Sequence, residues 1–326
     1  MNHAHLLIPF ALPPAEHARD LVNLLTKECG TDGLAMLLSR HSAMQLHHMD
    51  DFAQALPHEV WHQQTLQTQS QLTLLQQQAQ QLGVTLDPGY WFMLNPVHLH
   101  IASTHLVLTD QRQLTLTEEE ASVLFDIARQ ACELVGITLK YGSSGCWFLR
   151  ADHWHELSTS TPDAACGHNI DIWLPQGPTA RAWRKLQNEI QMEWFMHPLQ
   201  QQREQRGLQS VNGLWIWSGT SLPRGCSGSQ QTPAPDSVQH WIAAPRLMVL
   251  DSLSSAALAS DWGTWVQQFI ALEHNWFKPL HSALKKGQLS QYHLHLSNSN
   301  RLLNLHNTRQ GLHKFWRSPT LKSLSK

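Results

Sequence analysis

Arg203, Glu189, Asp171 and His168 have side chains that could hold or act on an anion. A guanidinium forks two N–H groups toward a phosphate or carboxylate; Arg203 has the alternative of pairing with Glu204 or a helix end. Glu189 lies beside the apolar stripe Trp183, Leu186, Ile190 and Trp194, where it either faces a cleft or is a satisfied buried acid. Asp171 and His168 fall in a loop, the usual carrier of function. Trp215 and Trp217 share one strand face, where core packing competes with ligand stacking. The 22 histidines fall in many small groups. His47, His48, Asp50, Asp51, His58 and His62 have metal-ligating side chains, but their spacing matches no ligand motif, and the intervening Ala, Leu and Trp61 suit an amphipathic helix. GxSxG, Walker A, GxGxxG and HExxH are all missing from the sequence. Five scattered cysteines without CxxC spacing read as reduced, buried thiols. No metal site and no cofactor is expected.

Charge is unevenly placed. After Glu273 there is no acid, and nine Lys or Arg follow, so the last 53 residues carry +9 and the remainder −11 of a net −2. Lys285, Lys286, Arg301 and Arg309, with the rings of Trp276, Phe277, Phe315 and Trp316, could contact single-stranded nucleic acid, where cations track phosphates and bases stack on aromatics. Pairing of this basic face with the acidic body is the alternative.

The elements that would position these groups are α/β in pattern. The chain has 326 residues, 42% apolar and 15% charged, enough for a large core. No apolar run is long enough for a membrane span, and the start reads as a first strand rather than a signal peptide, so a soluble cytoplasmic protein is expected. Leu6–Phe10, Leu214–Trp217, Arg246–Leu250 and Tyr292–Leu296 read as strands of one sheet. Helices are expected at 16–39 with a break near Gly30, in the glutamine-rich 63–81, from Thr179 to Pro198, and from Trp262 to Leu284 with a stop at Gly287. Trp91–Leu108 reads as two strands or a hairpin. Thr117 caps a helix with an acidic first turn, Glu118-Glu119-Glu120, that runs to Gly136. Strands Ile137–Tyr141 and Cys146–Arg150 come next. Residues 218–237 form a Ser/Gly/Pro/Thr loop expected to be mobile. The organisation expected is an α/β core from 1–90 and 158–326, interrupted by an α+β module at 91–157.

Residues 197–220 contain His197, Pro198, Arg203, Gly207 and Asn212 ahead of a strand bearing Trp215 and Trp217. This stretch resembles the archaeal-type cofactor-independent phosphoglycerate mutases of the alkaline-phosphatase superfamily. A closer resemblance, over most of 1–318, is to the bacterial RpfE-type regulatory family. It rests on Asn95-Pro96-Val97-His98-Leu99, Asn169-Ile170-Asp171 before Leu174-Pro175, and Asn188-Glu189-Ile190-Gln191-Met192. Glu273-His274-Asn275-Trp276-Phe277-Lys278-Pro279-Leu280 and Phe315-Trp316-Arg317 complete it. The resemblance implies an alkaline-phosphatase-like layered sheet with an inserted substrate-recognition module. It also implies a two-metal site of Asp and His ligands, from which this chain departs. The first strand runs into Pro9-Phe10 where the mutases place Asp-Gly, and the late strand leads into Ser297-Asn298-Ser299-Asn300. Gln200 stands for Asn, and Ser218 and Thr220 stand for Gly. These departures imply a non-catalytic binding or regulatory protein on a degenerate mutase-like fold, with an anionic small molecule as ligand and the candidate residues Arg203, Asn212, Glu189, Asp171, His168, Trp215 and Trp217. Two alternatives stand beside it. One is an enzyme acting on a phosphorylated small molecule without metal, through Glu189, Arg203 and Asp171. The other is the nucleic-acid reading above. The oligomeric state is open.

Overall fold

Strands whose successive residues are apolar bury both faces, and Leu6-Leu7-Ile8 of the first strand is of that kind. A computed structural model describes residues 4–102, 104–223 and 237–325. Its strands are β1 (His5–Ile8), β2 (Ala43–His48), β3 (Gly89–Val97), β4 (Leu99–Ile101), β5 (Leu106–Leu108), β6 (Thr138–Ser143), β7 (Cys146–Arg150), β8 (Gly213–Leu222), β9 (Leu247–Val249), β10 (Gln291–Ser297) and β11 (Arg301–Thr308). Contacts divide the chain into two units, Met1–Trp61 with Thr232–Lys326, and His62–Gln231.

The first unit holds the sheet β2-β11-β10-β1-β9. β1 runs parallel to β10 and β9, and β11 is antiparallel to β10 and β2. Tyr292, Leu294 and Leu296 of β10 are fully buried at period 2. Helix Ala18–Cys29 buries Leu21, Val22 and Leu25 and packs on helix Trp262–Leu272. The Trp265 indole N–H donates to the Phe10 carbonyl (2.9 Å), tying the latter helix to the exit of β1. The expected long helix is interrupted by a π-turn, Glu273–Phe277, before Lys278–Lys286 ends at Gly287 in the left-handed conformation (φ 74°). The π-turn carries Glu273 inward, where its carboxylate accepts the Leu34 N–H (3.0 Å) at the start of helix Leu34–Ser39. Burial raises this carboxyl above its ordinary range, against the opposing Leu34 hydrogen bond and the Lys278 charge. A β-carbon on Gly33 would sit 2.0 Å from Glu273 Oε1. Gly33→Ala must therefore displace the carboxylate, and a urea titration is expected to show a loss of about 1–3 kcal/mol.

The second unit holds the antiparallel sheet β6-β7-β3-β8 and the ribbon β4-β5. Alternation sends Phe92, Leu94, Trp147, Leu149, Leu214 and Ile216 to one face, against helices Glu118–Leu134 and Ala180–Met196. Trp91, Met93, Phe148, Leu222 and Trp217 go to the other, against Leu75 and Ala79 of helix Leu74–Gln81. All four residues of the expected stripe Trp183, Leu186, Ile190 and Trp194 are buried.

The mixed α/β class is as expected, but four details differ. Leu214–Trp217 does not join the sheet of β1. It lies in β8, paired to β3 from Val97↔Gly213 to Gly89↔Leu222, because a nine-residue partner with two buried faces satisfies its whole ladder. The strands of 91–157 thus share a sheet with residues beyond 157, and the compact unit is 62–231 rather than 91–157. Residues 43–48, read as part of an amphipathic helix, form the edge strand β2, which has no buried residue to mark it. The glutamine-rich helix is two helices, Pro57–Ser70 and Leu74–Gln81. They are separated at Gln71 (φ 56°), and a Thr73/Gln76 capping box starts the second. Cys29, Cys132, Cys146 and Cys166 are buried, and burial pushes each thiol up to about 12. Cys226 and most of the 218–237 loop, residues 224–236, lie outside the described residues.

Candidate functional site

Ligands of open α/β sheets bind outside the carboxyl ends of parallel strands. In the first unit β1 ends there in Pro9 and Phe10, β10 in Ser297 and Asn298, and β9 in Leu250 and Asp251. Phe10 is buried at φ 56°, with its ring edge-on to His58 (5.4 Å). Ser297 Oγ lies 3.0 Å from His58 Nδ1. Asn298 Oδ1 accepts from the backbone N–H groups of Asn300 (3.1 Å) and Arg301 (2.8 Å), closing the β10–β11 turn. Arg301 Nη2 donates to the Pro13 carbonyl (3.0 Å). The nearby carboxylates are Asp51, which accepts the Asn300 amide (2.6 Å), Glu59, which accepts the Leu56 N–H (2.7 Å) and lies within 4.8 Å of a His58 ring nitrogen, and the exposed Asp251. The strand-end residues themselves, Phe10, Ser297 and Asn298, are neutral, and the amide and hydroxyl are engaged by the β10–β11 turn and by His58.

The second unit contains the other candidates. Arg203 is no open clamp. It is fully buried, donating to the Gln209 carbonyl (2.9 Å), to the Leu114 carbonyl (2.6 Å) and to the Glu120 carboxylate. A buried guanidinium needs its donors satisfied, and this one closes the loop before helix Glu118–Leu134. Asn212 pairs both ways with the backbone of Leu99, Oδ1 accepting (2.7 Å) and Nδ2 donating (3.0 Å). Gln200 does the same for Val211, at 2.8 and 2.9 Å. Trp215 is buried and donates to the Ser160 carbonyl (2.8 Å), and Trp217 donates to Asn95 Oδ1. Glu189 is exposed on its helix, 3.9 Å from Lys185. Asp171 and His168 are exposed, with the His168 ring stacked on Trp173 (5.2 Å). Ser218 takes φ 57° in spite of its β-carbon.

Sequence reasoning missed Arg206 and Glu120. Both arginines converge on the Glu120 carboxylate, which is also the Thr117 capping-box residue. Burial pushes the Glu120 carboxyl up, but the Arg206 and Thr117 hydrogen bonds and the charges of Arg203 and Arg206 outweigh it, leaving a net depression. Arg206 is half-exposed and borders an open cleft of about 600 Å³ with Thr117, Glu119, Val123, Gln202 and Gln205.

Of the nucleic-acid candidates, Lys285, Lys286 and Arg309 are exposed. Arg301, Trp276 and Phe277 are buried and cannot meet phosphates or bases, because the helix and strand that carry them use those faces for packing. Phe315 and Trp316 are exposed, while neighbouring Lys314 and Arg317 are tied to the carbonyls of His41 and Ser39.

A second group escaped the sequence reading. His5, His293 and His295 share one sheet face with His306, with ring centroids 4.5 to 5.2 Å apart along the chain of neighbours. The period-2 spacing of His293 and His295 was its visible signal. Among the described residues no helix is long and apolar enough to cross a membrane.

No family model and no curated protein sequence matches the chain. Among solved structures it is similar to a cofactor-independent phosphoglycerate mutase from Thermoplasma acidophilum. Identity is 14%, covering 100% of this chain and 94% of that one, with a TM-score of 0.37. It is also similar to the PH0037 protein from Pyrococcus horikoshii. Identity there is 12%, covering 94% of this chain and 88% of that one, with a TM-score of 0.42. Similarity at this level assigns no residue a role.

Proposed function

We propose that this chain is a non-catalytic binding or regulatory protein on a phosphoglycerate mutase-like α/β frame. One observation carries the reading: the carboxyl ends of β1 and β10 present Phe10 and Ser297-Asn298, with the Asn298 amide engaged by its own turn and the Ser297 hydroxyl by His58. Two-metal phosphoryl transfer needs several anionic ligands around a nucleophile. A neutral amide oxygen committed to a turn and a hydroxyl paired with His58 are poor counterparts for two divalent cations.

The ligand class is a small phosphate- or carboxylate-bearing molecule, and the candidate guanidinium is that of Arg206, half-exposed while paired with Glu120. Its cleft offers the amides of Gln202 and Gln205 beside it. Such an anion competes with Glu120 for Arg206. Thermal unfolding of the full chain with 2- or 3-phosphoglycerate is expected to shift upward, by about 2.7 kcal/mol at a ligand concentration 100 times Kd. The shift is expected to vanish in Arg206→Gln. No shift with either acid, or an equal shift in that variant, removes the cleft as the ligand site.

A further inference from the structure

Imidazoles are gathered on one face of the first unit's sheet by register. His5 on β1 pairs with His293 on β10, and His293 pairs with His306 on β11. His295, two residues on, falls on the same face opposite Asn304. The His5 and His293 rings stack at 4.9 Å and 19°, and those of His293 and His306 at 4.5 Å and 8°. His295 is buried beneath the Trp61 indole (3.8 Å between centroids), while His5, His293 and His306 are half-buried and reachable from solvent. Packing alone does not account for such a row. Imidazole contributes less apolar burial than Leu or Phe, and any protonation would place like charges on adjacent strands.

The hydrogen bonds orient a lone pair. His295 Nδ1 lies 2.7 Å from Asn304 Oδ1. The amide oxygen can only accept, so the His295 proton sits on Nδ1 and Nε2 is bare. That Nε2 lies 3.0 Å from His5 Nδ1. Two ligand nitrogens on a tetrahedral ion with bonds of about 2.0–2.1 Å are about 3.4 Å apart, so this pair is already near the edge length of a coordination tetrahedron. Asn304 occupies the place of the outer partner that fixes a ligating histidine's tautomer, and Trp61 walls one side against water.

We infer that His5, His295 and His293 form a binding site for a late first-row divalent metal ion, Zn²⁺, Ni²⁺ or Cu²⁺. His295 binds through Nε2 and His5 through Nδ1, whose proton moves to Nε2 of the same ring, so the ring stays neutral. His293 supplies the third nitrogen by turning out of its stack with His306. Imidazole suits these ions and not Mg²⁺ or Ca²⁺. Three nitrogens on a sheet face leave the fourth position for water or a further ligand. His5 opens β1 and His293 is the third residue of β10, while His295 lies two residues before Ser297; the inference rests on these imidazoles and not on the function proposed above.

The test uses the full chain stripped with chelator at pH 7.5. Calorimetric titration with Zn²⁺ is expected to show a stoichiometric site, and Co²⁺ in its place is expected to develop the visible absorption of a four-coordinate ion. His295→Gln and His293→Gln each weaken Zn²⁺ binding at least tenfold, and Asn304→Ala weakens it about 10–100-fold. The exposed pair His47→Gln with His48→Gln leaves it unchanged. Should His295→Gln fail to fold, the half-exposed His293→Gln still decides. A wild-type chain that takes up no stoichiometric Zn²⁺ or Co²⁺, or a folded His293→Gln chain with wild-type affinity, overturns the inference.

Discussion

Arg203→Met is expected to destabilise the 62–231 unit by about 3–5 kcal/mol, because it strands a buried carboxylate and two carbonyls. Arg203 is fully buried and joins Glu120, the Leu114 carbonyl and the Gln209 carbonyl. Its loss leaves Glu120 to Arg206, which is half-exposed and gives weaker compensation. The double variant Arg203→Met with Glu120→Leu is expected to recover part of the loss, since replacing both partners removes the uncompensated charge. The pH dependence has a definite sign. Glu120 is depressed below its ordinary 4.5 when folded, so its contribution is full above about pH 4.5 and is lost as pH falls through the folded value. The wild-type advantage over Arg203→Met therefore narrows in acid. Urea titrations at pH 7 and pH 4 measure both effects. An exposed, ligand-binding Arg203 would show a change within about 0.5 kcal/mol instead.

Trp194→Ala is expected to cost the same unit about 3–5 kcal/mol. The indole is fully buried, stands edge-on to Trp147 at 6.1 Å, and donates its N–H to the Leu124 carbonyl (3.0 Å). It thereby joins helix Ala180–Met196 to helix Glu118–Leu134 over the face of the four-stranded sheet. Trp194→Phe keeps most of the apolar volume and loses the hydrogen bond, so it is expected to cost about 1–3 kcal/mol. Urea midpoints of the two variants give the comparison. Equal losses would mean that the hydrogen bond, not the buried ring, holds the helix pair.

Local pattern made the helices legible. The spacing Trp183, Leu186, Ile190, Trp194 marks a buried stripe without reference to any partner, and Thr117 with the acids after it marks a helix start. Pairing between distant strands was not legible. β8 carries the same alternation whether it sits beside β1 or β3, and only the folded ladder chooses β3. β2 is hidden from pattern because an exposed six-residue edge strand has no buried face to give it a period. The site suffered for the same reason. Arg203 looks like an anion clamp because its carboxylate partner lies 83 residues away, beyond any local pattern. The histidine face has one visible piece, His293 and His295, while His5 and His306 join it through sheet register alone.

Phosphoryl transfer is the measurement that bears most directly on the central claim. The full chain is incubated with 3-phosphoglycerate, and separately with an aryl phosphate monoester, in the presence of Mn²⁺, Co²⁺ or Zn²⁺, and followed by phosphorus NMR. The neutral rim of Phe10, Ser297 and Asn298 predicts no 2-phosphoglycerate and no released phosphate beyond what the metals alone produce. Turnover by the wild-type chain that disappears in Ser297→Ala or Asp251→Asn would contradict the non-catalytic reading, since those residues would then be part of a working site at the strand ends.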